Sequence, residues 1–237
     1  MSNSVFHFKQ FSVDQSQCAM KVGTDGVLLG AWAHGGERIL DIGTGTGLIA
    51  LMMAQRFPDS SITAIELDEK ASRQAAENVL NSPFSGRVRV LHQSFQHFLS
   101  SFDVKSMTLF DAVVCNPPYF VDALKCPDEE RLNARHAVAL TFPTLLRGVK
   151  MLLASQGAFS VILPYDACRE FESEASMHGL YLAEMCKIKT VLKKAPKRVL
   201  MRFSHHFGPV CSTEQCLSEL GCERSEWYRK LTREFYL

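Results

Sequence analysis

The sequence lacks the features that define membrane and secreted proteins. None of its 237 residues belongs to an apolar run that approaches the length of a membrane span. The N-terminal stretch from Met1 to Lys9 contains no apolar signal-peptide core. We therefore expect a cytoplasmic protein that does not associate with membranes.

Paired cysteine motifs and a strong net charge are also missing. The eight cysteines form no Cys-x-x-Cys pair, which indicates a reducing compartment. Cys211, Cys216 and Cys222 are loosely spaced, and we expect no metal there, although a zinc site is the open alternative. The formal net charge is +1, so no global field attracts nucleic acid or membranes. A hydrophobic content of 46% is ordinary for one globular domain.

A glycine loop follows the first apolar strand. Residues 38–42 read R-I-L-D-I and lead into a loop with Gly43, Gly45 and Gly47, before the apolar residues 48–57 predict a helix. This order brings backbone N–H groups close to a bound nucleotide or nucleoside. The spacing differs from that of dinucleotide-binding enzymes, and no Walker lysine is present. By itself, the loop is a weak signal.

A carboxylate ends the next predicted strand. Residues 61–65 read S-I-T-A-I, and Glu66 follows about 20 residues after the loop, where an acid accepts hydrogen bonds from ribose hydroxyls. The alternative is a solvated acidic loop, because the local sequence is E-L-D-E.

The other predicted elements continue an alternation of strands and helices. This alternation predicts an α/β fold with a parallel sheet covered on both faces. The expected elements are a hairpin or edge strand at 5–13, a helix at 27–33 capped by Asp25, a helix at 68–80, a strand at 88–91, a helix at 142–153 capped by Thr141, a strand at 157–163, a helix from Asp166 as cap to Met177, and strands at 180–188 and 199–206.

The stretch 111–119 carries the most specific chemical signal. It reads D-A-V-V-C-N-P-P-Y, and Pro117 and Pro118 end the buried strand at Asn116 because proline donates no backbone hydrogen bond. A planar amino group offers two N–H donors, and the Asn116 side-chain oxygen and the Pro117 carbonyl can accept one each. Tyr119 can stack on the ring that bears the amino group.

Basic residues are concentrated near the C-terminus. Residues 185–213 carry seven basic side chains and no acidic ones, which indicates phosphate contacts with a nucleic acid. A solvated loop is the alternative. The predicted RNA contacts lie in the loop K-K-A-P-K-R and are Lys193, Lys194, Lys197 and Arg198.

The pattern I-L-D-x-G-x-G-x-G, the acid after the second strand and N-P-P-Y after the fourth resemble the Rossmann-like S-adenosylmethionine-dependent methyltransferases. The resemblance implies a seven-stranded, mostly parallel sheet whose last strand is antiparallel. It implies that Glu66 binds the ribose, and that Ser94 stands where an aspartate usually contacts the adenine. The other cofactor-binding residues that it implies are Asp41, Gly43, Thr44, Gly45, Gly47, Leu67 and Asn116.

Three further stretches are similar to bacterial tRNA adenine-N6 methyltransferases, which act at position 37 of a valine tRNA. They are F-K-Q-F-x-V, M-K-V-G-T-D-G-V-L-L-G-A-W and the C-terminal L-T-R-E-F-Y-L. The resemblance implies tRNA as partner, no obligate protein partner, and catalysis by the Asn116-Pro117-Pro118-Tyr119 motif. It also implies an arm at 1–34, in which Lys9, Gln10 and Thr24 fold over the cofactor site of a domain at 35–237.

Two alternative functions remain open at this stage. Protein glutamine-N5 methyltransferases share N-P-P-Y, but they carry an N-terminal helical domain where this chain has a short arm. A noncatalytic cofactor-binding RNA adaptor is the third reading, and the intact motif at 116–119 argues against it.

Overall fold

A nine-stranded, mostly parallel sheet is the centre of the computed structural model, which describes residues 4–18, 21–103, 108–117, 140–219 and 223–237. The strands are β1 Val5–His7, β2 Ser12–Asp14, β3 Arg38–Ile42, β4 Ser61–Glu66, β5 Val88–His92, β6 Phe110–Cys115, β7 Leu153–Pro164, β8 Tyr181–Val191, β9 Arg198–Ser204, β10 Cys211–Glu219 and β11 Glu223–Arg224. The helices are α1 Thr24–Trp32, α2 Leu48–Arg56, α3 Glu69–Leu80, α4 Phe95–Ser101, α5 Phe142–Leu152, α6 Cys168–Met177 and α7 Glu226–Thr232.

The strand order of the large sheet is β11-β10-β8-β9-β7-β6-β3-β4-β5. β9 is antiparallel to β7 and β8, whereas β3 to β7 pair in parallel. The expected α/β class and the antiparallel last strand of seven are therefore confirmed. β10 and β11 extend the sheet beyond the seven expected strands. The extension was not predicted because β10 begins with the exposed polar residues Ser212, Thr213 and Glu214, which lack an apolar strand pattern.

Alternation along the strands divides the core between two faces of the sheet. In β3, Ile39 packs on the face that holds α1 and α2, whereas Leu40 packs on the face that holds α5 and α6. Val114 and Val113 in β6 alternate in the same way, and all four side chains are fully buried. Each such burial contributes about 1.5–3 kcal/mol, so these strands are fixed in register and orientation.

Helix α1 packs closely and in parallel along α2 because two glycines face it. A Cβ on Gly26 would lie 3.0 Å from Leu48 Cδ2, and a Cβ on Gly30 would lie 2.9 Å from Met52 Cβ. Arg56 then donates to the Gly30 and Ala33 carbonyls at the end of α1, at 2.9 and 2.7 Å. α1 therefore begins beside the start of α2, which is the end that follows the glycine loop.

Two predicted helix caps were wrong. α1 begins at Thr24 with Gly23 as its N-cap, so Asp25 lies in the first turn and caps nothing. α6 begins after a 3₁₀ turn at Tyr165–Ala167, and its N-cap is Ala167 rather than Asp166. Thr141 does cap α5, as predicted. No helix in the described ranges is long and apolar enough to cross a membrane.

Candidate active site

The three main sequence signals meet at one edge of the sheet. Ile42 at the end of β3 is in register with Ile65 of β4 on one side and with Cys115 of β6 on the other. Gly43, Glu66 and Asn116 therefore follow three neighbouring strands at the same carboxyl edge. In open α/β sheets, ligands bind outside this edge.

The glycine loop has a backbone that only glycine adopts without strain. Gly43, Gly45 and Gly47 have φ angles of 72°, 58° and 84°. A Cβ on Gly43 or Gly45 would meet nothing within 4 Å, whereas a Cβ on Gly47 would contact Ala75 Cβ at 3.5 Å. The first two glycines thus line open space that a ligand can approach, and the third packs the loop against α3.

Asp41 is fully buried beneath this loop. Its Oδ2 atom accepts hydrogen bonds from the Thr44 hydroxyl at 2.6 Å and from the Ala50 N–H at 3.1 Å. No atom of the described residues pairs with the other oxygen, Oδ1. Burial raises the pKa of Asp41 to about 7, against the smaller lowering effect of the two hydrogen bonds. Asp41 is therefore a buried acid, and one of its oxygens has no hydrogen-bond partner among the described residues.

The raised pKa of Asp41 predicts a pH-dependent stability. The folded protein retains this proton up to about pH 7, whereas the unfolded chain releases it near the ordinary carboxyl pKa of 3.8. Stability is therefore lost as the pH rises from about 4 to 7 and is flat above that range. From pH 5 to pH 8, we expect the free energy of unfolding of Asp41→Asn, which cannot ionise, to rise by about 3 kcal/mol relative to that of the unmodified protein. Urea unfolding without ligand at both pH values measures this gain, and an equal difference at both would contradict it.

Glu66 uses both carboxylate oxygens to fix the local backbone. Oε2 accepts from the Gly45 N–H at 2.8 Å, and Oε1 accepts from the Asp68 N–H at 2.9 Å. Each oxygen keeps a second lone-pair site for a hydroxyl donor. Leu67 is 47% exposed beside it and presents an apolar surface. The pair offers a polar and an apolar contact to one ligand.

Ser94 lies at the same edge but serves as a helix cap. Its hydroxyl oxygen accepts from the His97 N–H at 3.0 Å at the start of α4. The preceding Gln93 donates its backbone N–H to the Glu66 carbonyl at 2.9 Å, which ties this turn to β4. The Ser94 hydroxyl hydrogen remains a donor, which an aspartate in its place would not supply.

The arm approaches the site through a residue that the sequence did not indicate. Burial raises the pKa of the Cys18 thiol, and the negative charges of Glu66 and Asp68 raise it further. Nearby, the Gln17 backbone N–H donates to the Gln74 side chain on α3. Cys18 is therefore a neutral thiol within range of the charges of Glu66 and Asp68. A lone cysteine in a polar stretch carries no pattern from which this position could be predicted.

The structure places Lys9, a predicted cofactor-binding residue, against the C-terminal segment. Its ammonium donates to the Arg233 carbonyl at 2.6 Å, and its backbone N–H donates to the Phe235 carbonyl at 2.9 Å. Gln55, in the last turn of α2, holds the intervening Glu234 carbonyl at 2.7 Å. This end of α2 is about 10 Å from the glycine loop at 1.5 Å per residue.

The turn of the β1–β2 hairpin lies at this end of α2 because its aromatic residues pack on the C-terminal segment. Phe8 stacks on Phe11 and on Tyr236, with ring centroids 4.7 and 6.0 Å apart. Gln10, in the same turn, is exposed and shares this location. Thr24 is the first residue of α1 and lies at the glycine-loop end of that helix.

Asn116 follows β6 at the active edge, next to the glycine loop. It is half-buried, and Pro117 behind it is buried. Burial raises the pKa of the preceding Cys115 thiol well above its usual value, so that this side chain stays neutral. Pro118 and Tyr119 lie outside the described residues.

The basic loop between β8 and β9 also lies at this edge. β8 runs parallel to β7 because β9 is antiparallel to both, so the loop after Val191 leaves the carboxyl edge. Backbone hydrogen bonds from Lys194 to Val191 and from Lys197 to Ile188 close it, at 3.0 and 2.9 Å. Loop residues Lys193, Lys194 and Lys197 are exposed.

Arg198, the fourth predicted RNA contact, forms an ion pair within the protein. Arg198 Nε lies 2.8 Å from Asp25 Oδ2 on α1, and this ion pair is partly buried. Further along the strands, Lys189 pairs with Glu214 and Arg202 with Glu184. Within the described residues, no ion pair involves Lys193, Lys194 or Lys197.

The zinc alternative receives no support from the described part of the chain. Cys211 and Cys216 lie on one strand, about 16 Å apart at about 3.3 Å per residue, which is too far for a shared ion. No cluster of three His, Cys, Asp or Glu side chains suited to a metal occurs among the described residues. Cys222 lies outside them.

A solved structure shares the fold of this chain, and a family model matches part of its sequence. A predicted O-methyltransferase from Agrobacterium tumefaciens has a TM-score of 0.64 with this chain, covering 89% of this chain and 96% of that one at 19% identity. A family model described as the methyltransferase small domain matches residues 16–132. With the glycine loop, Glu66 and Asn116 at one edge, the fold and site define an α/β methyltransferase of the Rossmann-like type.

Curated relatives narrow the class to one family. Proteins named tRNA1(Val) (adenine(37)-N6)-methyltransferase from Bacteroides thetaiotaomicron and Bacteroides fragilis are each 48% identical to this chain. Both alignments cover 100% of this chain and 99% of the relative. The chain belongs to the tRNA1(Val) (adenine(37)-N6)-methyltransferase family.

Proposed function

We propose that the protein transfers a methyl group from S-adenosylmethionine to the N6 atom of adenine 37, beside the anticodon of a valine tRNA. The observation that carries this proposal is the Asn116-Pro117 pair beside Gly43, in a chain with full-length relatives of that name. We place the reaction in the cytoplasm and treat residues 1–34 as an arm on a single domain at 35–237.

The residues at the edge fit S-adenosylmethionine. The orphaned Oδ1 of Asp41 can accept a bond from a cationic methionyl end, and the open side of Gly43 and Gly45 leaves room for its backbone approach. The lone pairs left on the Glu66 carboxylate suit the two ribose hydroxyls. Leu67 and the donor hydroxyl of Ser94 lie where the adenine would rest.

Catalysis in this site depends on alignment more than on proton transfer. The bound cofactor supplies a methyl group activated by its sulfonium. The lone pair of adenine N6 is delocalised into the ring, so the amino group is a poor nucleophile. Asn116 and the Pro117 carbonyl accept its two N–H groups and thereby turn the lone pair toward the methyl carbon. Tyr119 holds the ring in plane, and the proton leaves to water afterwards.

Phosphate contacts by Lys193, Lys194 and Lys197 predict a salt-dependent affinity. Each phosphate contact contributes about 0.7–0.9 to the slope of log affinity against log salt. We expect replacement of all three by alanine to weaken tRNA binding and to flatten the slope by about 2–3. The rate at saturating tRNA should survive because Asn116 is unchanged. Filter binding at several salt concentrations measures both quantities.

A charge-matched control separates local contacts from a general charge effect. Lys70, Arg73 and Lys230 are exposed on helices, so their triple alanine variant loses the same three charges elsewhere. This control should retain the slope. Equal slopes for both triple variants would mean that the basic loop does not bind phosphates.

Labelled methyl transfer tests the function directly. The substrate is tRNA from cells that lack the gene, and the product is digested to nucleosides and sequenced at the labelled position. N6-methyladenosine at position 37 of valine tRNA supports the proposal. Label in protein would instead indicate glutamine methylation, and absence of label would indicate a noncatalytic adaptor.

A further inference from the structure

One ion pair joins helix α1, which packs beside the glycine loop, to the end of the basic loop. The proposed function uses the first for the cofactor and the second for RNA. Asp25 on α1 and Arg198 at the start of β9 lie 173 positions apart in sequence, and Arg198 Nε reaches Asp25 Oδ2 at 2.8 Å. Their side chains are 25% and 36% exposed, so solvent screens this contact less than a surface pair. The sequence predicted Arg198 as an RNA contact and gave Asp25 no role in binding or chemistry.

On the cofactor side, the connection from Asp25 to the glycine loop is short. Gly26 follows Asp25, and its backbone packs so close to Leu48 that a Cβ would lie 3.0 Å from Leu48 Cδ2. Leu48 begins α2 directly after Gly47, the last glycine of the loop. Because interiors are close-packed, the position of Asp25 is rigidly related to the loop.

On the RNA side, Arg198 fixes the end of the basic loop. Its Nη1 atom donates to the carbonyl of the neighbouring Lys197 at 3.1 Å, and the same carbonyl accepts from the Tyr165 N–H at 3.1 Å. The Lys197 N–H closes the loop onto Ile188. Movement of Arg198 would therefore move the base of the segment that presents Lys193 and Lys194.

We propose that Asp25 is a substrate-positioning residue, which through Arg198 sets the distance between the RNA-binding lysines and the methyl donor site. The inference rests on the proposed function. The lysines bind the RNA backbone without the ion pair, but without it they hold the RNA in a less defined position relative to Asn116. Small misplacement of reacting atoms lowers the rate of transfer steeply.

A positioning role predicts that Asp25→Asn lowers the rate and leaves the binding affinities nearly unchanged. The lysine triple variant should do the opposite, with weaker tRNA binding and an unchanged rate. We expect Asp25→Asn to reduce the single-turnover methyl-transfer rate about tenfold or more at saturating tRNA and cofactor. The dissociation constants for tRNA and for S-adenosylmethionine should change less than about twofold. Asp25→Glu, which keeps the carboxylate, should recover most of the rate. Asp59→Ala, an exposed acid in the turn before β4, is the matched control and should behave as the unmodified protein.

The outcomes of this experiment distinguish a positioning role of Asp25 from no role and from a purely structural role. An unchanged single-turnover rate in Asp25→Asn would overturn the proposal, as would equal losses in the Asn and Glu variants. A rate loss that follows a lower melting temperature, with weaker binding of both ligands, would indicate a purely structural role. If the unmodified protein does not methylate tRNA adenine, the proposed function itself fails, and this failure is visible before any variant is compared.

Discussion

Replacement of Asn116 by alanine should abolish most turnover while the protein stays folded and binds its cofactor. The variant loses the acceptor that orients the amino group, and loss of one such contact costs about 10²–10³ in rate. Asn116 is half-buried at the end of β6, outside the core formed by Val113 and Val114, so the core is unaffected. Single-turnover methyl transfer to tRNA measures the rate, and titration calorimetry measures cofactor affinity.

Asn81→Ala provides the control for this experiment. Asn81 is an exposed asparagine at the end of α3. Its replacement should leave the methyl-transfer rate unchanged. A near-normal rate in Asn116→Ala would remove the mechanism proposed for the N-P-P-Y motif. If Asn116→Ala loses cofactor binding as well as rate, Asn116 contacts the cofactor rather than the substrate.

Replacement of Glu66 by alanine should weaken S-adenosylmethionine binding about 100-fold or more. Hydrogen bonds to a charged group contribute about 1.5–3 kcal/mol each, and about 1.4 kcal/mol corresponds to tenfold in affinity. The variant loses two ribose contacts and also releases the Gly45 N–H that Glu66 holds at 2.8 Å. Both effects act on cofactor binding.

Glu69→Ala is the matched control for this second experiment. Glu69 is exposed in the first turn of α3 and pairs with Arg73 on the surface, where an ion pair contributes little. Calorimetry should show an unchanged affinity for this variant. An unchanged affinity in Glu66→Ala would mean that the carboxylate only supports the loop and does not contact the ribose.

Local patterns were sufficient to bring the predicted site residues to one edge because they lie at the ends of three neighbouring strands. Gly43 and Asn116 follow β3 and β6, Glu66 ends β4, and parallel strands bring their carboxyl ends to one edge. The positive φ angles of Gly43 and Gly45 follow from the same logic, since no other residue suits such a turn. The full-length relatives confirm the family that these motifs indicated.

Partners distant in sequence could not be predicted in the same way. Lys9 reaches the C-terminal segment because Phe8 stacks on Tyr236, and nothing near Lys9 encodes that contact. Asp25 looked like a helix cap, but it pairs with Arg198 at the start of β9. Cys18 comes within range of the charge of Glu66, and the neighbouring Gln17 contacts Gln74 on α3.

The sequence by itself determined the α/β class, the glycine loop, and the positions of Glu66 and Asn116 at the ends of their strands. Strand periodicity, proline at 117 and glycine at 43, 45 and 47 are local constraints that act before the chain folds. Only the tertiary structure decided which basic residues stay available for RNA and where the arm lies. Ion pairs and aromatic packing depend on which surfaces meet, and that geometry is fixed by burial of the whole core.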